Sequence, residues 1–94
     1  MAEILFEHNE KRGTFIIKMK ILKVKTDDEF PEGIKYSLVA LNNQSKKRVV
    51  GFDNHYGKGH HYHVFNREFS YDFVDEWQVI TDFEKEVLKV QLRL

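Results

Sequence analysis

The chain has 94 residues, 41% of them hydrophobic and thirteen of them Phe, Tyr or Trp, which suits one domain over residues 1–94 with a modest core and leaves no room for a second. It contains no cysteine, so a disulfide framework and a thiolate metal site are both excluded, as expected of a protein in a reducing cytoplasm. Fifteen bases balance fifteen acids, which speaks against non-specific nucleic-acid binding and requires any attraction for a polyanion to be local.

The first residues, MAEILFEHNE, lack the charged-then-apolar pattern of a leader. No apolar run approaches the roughly 20 residues of a membrane span, so no membrane association is expected. Ala2 to Glu7 alternates with the period of a half-buried strand. His8 to Gly13 is polar and ends in glycine, which reads as a hairpin loop with His8 as a solvated turn residue. In the long strand that follows, Phe15, Ile17, Met19 and Ile21 share one face and Ile16, Lys18 and Lys20 the other, but Lys23 and Lys25 return on the apolar parity. A β-bulge near Ile21–Leu22 would restore Leu22 and Val24 to the core side.

Thr26 to Gly33 (TDDEFPEG) holds the only proline and four acids and reads as an exposed loop, with Phe30 tucked back on the core. Ile34 to Leu41 alternates at first and becomes apolar on both sides toward its end, as a central strand does. Asn42 to Lys46 is a connector, and Lys47 to Asp53 returns antiparallel beside the preceding strand. Charge divides along the chain. Six bases and no acid lie from Lys11 to Lys25, five bases face one acid from Lys46 to Arg67, and seven acids face one base from Glu68 to Glu86. A basic sheet followed by an acidic tail is either a pair of solvated faces or a surface turned toward a polyanion.

Gly51 to His63 (GFDNHYGKGHHYH) holds four of the five histidines together with Asp53, Asn54 and Lys58, a density of proton-handling groups that marks it as the candidate site. Residues two apart on a strand point the same way, so His61 and His63 can converge on one object while His60 points elsewhere. Asn66–Arg67 reads as a turn and Glu68 to Asp72 as a short strand that brings Tyr71 back toward the same end.

The final segment is a helix capped by Asp75. Gln78 sits at the capping-box position, and Val74 is spaced to staple onto Val79. Trp77, Ile80, Phe83, Val87 and Val90 recur at helical spacing, which assigns Trp77 and Phe83 to the core and leaves Asp82, Glu84, Lys85 and Glu86 largely outward. Gln91 to Leu94 is apolar for a terminus and suits burial on a partner. The expected fold is α+β, an antiparallel sheet of about five or six strands with one C-terminal helix packed on a face.

These residues resemble the TumE-type toxin family of prokaryotic toxin–antitoxin systems. The resemblance rests on Lys35-Tyr36-Ser37-Leu38, Phe52-Asp53-Asn54, Gly57-Lys58-Gly59 followed by His61-x-His63, Tyr71-x-Phe73 and Asp82-Phe83, and it covers about the last two-thirds of the chain. His55 and His60 thicken the histidine cluster beyond that pattern. The resemblance implies a toxin with a cognate antitoxin as partner, without fixing a reaction.

Three readings of the residues stay open. In a metal-independent ribonuclease, which requires no cofactor, one of His61 and His63 takes a proton from the RNA 2′-hydroxyl and the other gives one to the leaving oxygen. Asp53 then orients an imidazole, Asn54 and Tyr71 complete the site, and Lys58 or Arg67 steadies the phosphate. Lys18, Lys20, Lys46, Lys47, Arg48 and Arg67 are the candidate RNA contacts. In a metal-dependent hydrolase, His61 and His63 with His55 or Asp53 hold the ion, although the spacing matches no known metal motif. In a binding module without chemistry, the basic strand and apolar tail meet a protein partner, and a sheet edge or that tail provides a route to an oligomer.

Overall fold

A computed structural model describes residues 2–54 and 59–93. Six strands precede one helix: β1 Glu3–Arg12, β2 Phe15–Lys23, β3 Ile34–Asn42, β4 Arg48–Asp53, β5 His61–Val64, β6 Arg67–Ser70 and α1 Glu76–Arg93. The strands form a single sheet in the order β1-β2-β3-β4-β5-β6, every neighbouring pair antiparallel. The expected antiparallel sheet of about five or six strands with a C-terminal helix on one face has six strands, and the helix packs on β3 and β4. No helix among the described residues is long and apolar enough to cross a membrane.

Period-two alternation builds the core. Phe15, Ile17, Met19 and Ile21 of β2, Tyr36, Leu38 and Ala40 of β3, and Val50 and Phe52 of β4 are buried on the face that α1 covers. The helix contributes Val79, Phe83, Val87 and Val90, each almost fully buried. Phe52 stacks on Tyr62 and meets the rings of Tyr71 and Phe83 edge-on, so the β4–β5 pair and the helix share one aromatic cluster. Phe30 is half-buried, with the Lys35 ammonium 5.9 Å from its ring centre.

Four sequence expectations are corrected. First, His8 to Gly13 is not a loop: β1 continues to Arg12, and only Gly13 and Thr14 turn the chain. Gly13 takes φ +60, the left-handed conformation required at the first position of a tight two-residue hairpin turn. The strand escaped notice because its inward residues there are polar and find partners from elsewhere. Arg12 donates to Glu10 at 2.7 Å and, across the chain, to Glu84 at 2.7 Å. His8 lies on this strand, bonded to Glu10 at 2.9 Å. The hydrogen bonds from Arg12 and His8 hold the Glu10 carboxyl at about 2.

Second, the bulge lies on the other strand of the pair. β2 runs in unbroken register with β3, while β1 slips between Ile4 and Phe6, leaving Leu5 as the extra residue opposite Ile21–Leu22. An edge strand has only one ladder to disturb, so it accommodates the extra residue at lower cost than a strand paired on both sides. Third, Trp77 is 59% exposed and Val79 is buried. Helical residues two positions apart differ by about 200° in direction, so Trp77 and Val79 cannot both face the sheet, and Trp77 instead meets Phe6 edge-on at the β1 margin. Fourth, Asp75 caps the helix by accepting from the amides of Trp77 and Gln78, but Val74 is 71% exposed and makes no staple. The Gln78 side chain donates forward to Asp82 at 3.0 Å instead of closing a capping box.

Phe83→Ala should therefore destabilise the protein by about 3–5 kcal/mol, and Trp77→Ala by about 1 kcal/mol or less, in urea unfolding. Equal losses would show that the helix is rotated from this placement.

Candidate functional site

The sheet face opposite the helix carries the candidate chemistry. Because Phe52 and Tyr62 point into the core, their neighbours Asp53, His61 and His63 must point out on the other side. Cross-strand pairing sets these residues in two rows. One runs Glu7, Lys20, Ser37, Asp53, His61, Ser70, and the next Asn9, Lys18, Val39, Gly51, His63, Glu68.

Within the first row, His61 is 7% exposed, and its Nε2 lies 2.8 Å from Asp53 Oδ1. Its Nδ1 donates to the carbonyl oxygen of Gly59 at 3.1 Å. Both ring nitrogens thus face acceptors. Gly59 has φ +69, so the turn that supplies that carbonyl suits glycine. His63 is packed edge-on against His61, with ring centroids 5.1 Å apart. Its Nε2 is 3.4 Å from Glu68 Oε1. Burial, and then the positive charge of Arg48, push the His63 imidazolium below the usual histidine range, favouring the neutral ring.

Arg48 reaches His63 because Gly51 has no side chain. A Cβ at Gly51 would lie 2.7 Å from Arg48 Cδ, so the Arg48 stem crosses the bare backbone opposite His63. His61, His63 and Glu68 also offer ligand atoms within 4.8 Å of one another, the one such group among the described residues.

Other expected site residues are placed elsewhere. Asn54 is 3% exposed, with its amide fully used: Oδ1 accepts from the Tyr36 amide at 3.0 Å, and Nδ2 donates to the Ile34 carbonyl at 2.7 Å. It extends the β3–β4 pairing just past Asp53. Tyr71 is on the helix face and donates to Asp82 at 2.5 Å; burial, and then that carboxylate, raise its phenol above the ordinary range. Arg67 lies over Phe69, which stacks on Tyr62, so it too is on the helix side. Lys46 and Lys47 sit at the β3–β4 turn, while Lys18 and Lys20 are exposed in the two rows. Lys58 and His55 lie outside the described residues.

His60 points to the core side, as the parity argument requires. It stacks on Phe73 beside Tyr36, accepts from the Tyr36 hydroxyl at 2.9 Å and donates to Glu32 at 3.0 Å, tying the acidic loop to the sheet. Glu68 and the Arg48–His63 approach were not anticipated. Both follow from strand register, and the sequence signal was the pairing of a hairpin whose turn falls at Phe65 and Asn66.

Residues 3–91 match the family model described as Toxin TumE. No curated protein and no solved structure matches the chain.

The position of Arg48 gives a titration prediction. Arg48→Met should raise the His63 pKa in an NMR titration, and Gly51→Ala, by displacing the arginine, should shift it the same way. The sign for stability follows. The unfolded chain regains the usual value of 6.5, so below that pH it binds more protons than the folded chain, and the His63 contribution is lost as pH falls through the depressed folded value. His63→Gln should flatten that part of the stability curve. An unshifted His63 in Arg48→Met would show that the two side chains do not interact.

Proposed function

The chain belongs to the TumE toxin family, the toxin half of toxin–antitoxin pairs with a cognate antitoxin as its implied partner, and from that premise we propose that it is a metal-independent ribonuclease acting through His61 and His63. The observation that carries this reading is the contrast between two histidines on one face. His63 is held toward its neutral form by burial and Arg48, while His61 has both nitrogens on acceptors. A ring held toward its neutral form suits the base, and an imidazole with acceptors at both nitrogens suits the partner acid.

His63 takes the proton from the 2′-hydroxyl, and the 2′-oxygen attacks the adjacent phosphorus. The P–O5′ bond breaks as His61 delivers its Nε2 proton to the departing 5′-oxygen, leaving a 2′,3′-cyclic phosphate. Asp53 holds the His61 ring and balances its charge. Arg48 stands beside His63, where negative charge builds on the phosphoryl oxygens, and joins Lys58, which lies outside the described residues, in that part; Arg67 is on the helix side. Asn54 and Tyr71 contribute by holding β4 and α1 in place, outside the proton transfers. Lys18 and Lys20 lie three strands from β5, about 14 Å away at the usual strand spacing, and offer contacts to phosphates beyond the cleaved one. A requirement for the 2′-hydroxyl restricts cleavage to RNA.

Changing His61 or His63 singly to Ala should reduce RNA cleavage by about 10²- to 10⁴-fold and stop growth inhibition, at a stability cost of only about 1–2 kcal/mol. Cleavage should survive EDTA, follow a bell-shaped pH profile and leave cyclic phosphate ends. Lys18→Glu with Lys20→Glu should weaken RNA binding and flatten its salt dependence. A folded His61→Ala, His63→Ala protein that still cleaves at the wild-type rate would end this assignment.

A further inference from the structure

One residue of the open face does not serve the reaction just proposed. Glu68 places a carboxylate 3.4 Å from His63 Nε2 and 3.8 Å from His61 Nε2, at the position where an RNA phosphate would approach. With Asp53 on the other side of His61, two carboxylates flank the two histidines. That arrangement repels an anion and attracts a cation.

We propose that His61, His63 and Glu68 form a binding site for a zinc-class divalent ion, and that an ion there and RNA cleavage exclude one another. The mutual exclusion rests on the ribonuclease reading; the ion site does not. Three observations support the site. The donor set, two imidazole nitrogens and one carboxylate oxygen, is one that zinc takes in open sites. The spacing is close to that of bound ligands: at metal–ligand distances of about 2.0–2.2 Å, tetrahedral neighbours stand about 3.3–3.6 Å apart, and two of the three separations are 3.4 and 3.8 Å, with all within 4.8 Å. Closing the group needs only small side-chain rotations, because Glu68 lies directly across the strand pair from His63.

The third observation is the orientation of His61. Its Nδ1 donates to the Gly59 carbonyl, the kind of backbone contact that fixes the ring of a metal-ligating histidine and turns Nε2 toward the ion. Asp53 Oδ1, 2.8 Å from that Nε2, borders the same space and adds negative charge beside the ion. An ion on the two Nε2 atoms takes the lone pair that His63 needs to accept a proton and replaces the proton that His61 must give. Zinc therefore acts as an inhibitor.

The test is a titration of tag-free protein with zinc alone by calorimetry, with cobalt as a spectroscopic stand-in. One ion per chain and a tetrahedral cobalt absorption band are expected. Glu68 is half-exposed, so Glu68→Gln keeps the fold and should weaken binding by about tenfold or more; His63→Ala should remove it, and His8→Ala should leave it unchanged. No binding up to about 100 μM zinc, or binding undiminished in Glu68→Gln, would overturn the site. In a cleavage assay zinc should inhibit and EDTA restore; cleavage stimulated by zinc would overturn the exclusion. Calorimetry needs no RNA, so loss of the ribonuclease reading leaves the ion site separately decided.

Discussion

The pairing of β4 with β5 ties stability to the candidate site. Phe52 opposite Tyr62 places two stacked rings under the helix, and the same register sets Asp53 opposite His61 on the other side of the sheet. A slip of one residue would bring the histidines into the core and turn the aromatic rings to water, at the cost of burying several groups that need polar partners. The apolar face therefore selects the geometry of the polar one.

Around that pair the molecule separates its tasks by face. The helix side holds the apolar core, with peripheral polar groups matched to specific partners: Arg12 to Glu84, Tyr71 to Asp82, His60 to Tyr36 and Glu32. The open side holds the cross-strand rows, where the charged groups are borne on a backbone fixed from behind. Side chains on such a surface can change with little effect on packing, provided the strand register is kept. Asn54 is the junction between the two, a buried amide that uses both its groups on β3 backbone and so fixes the end of β4 where Asp53 stands.

Local patterns made much of this legible in advance. The β3–β4 hairpin, the Asp75 cap and the shared parity of His61 and His63 each depend on residues a few positions apart. The second half of β1 was hidden because its inward residues are polar, and Arg12 becomes reasonable there only with Glu84 beside it, 72 positions away. The helix face was misjudged because Trp77 has the greater apolar bulk, whereas the geometry of the sheet favours Val79. Arg48 and Glu68 reach the histidines through strand register and through the missing side chain of Gly51. Spacing along the chain carries no record of such approaches.

Between the lysines and the histidines, the second cross-strand row passes through Val39 and Gly51. Val39 is half-buried and Gly51 is buried under the Arg48 stem, so between Lys18 at one end and His63 at the other the row carries Val39 and the Arg48 side chain. On the proposed ribonuclease reading, a substrate bearing one negative charge per unit would lie along this row, with one phosphate at His63 and Arg48 and another near the cations of β2. A compact phosphate ester meets only one end of it. If the chain acts as the proposed ribonuclease, a chain-like substrate gains from both ends of this row, with Lys18 and Lys20 on β2 and Arg48 beside His63, whereas Arg12 and Arg67 lie on the helix side and serve its packing.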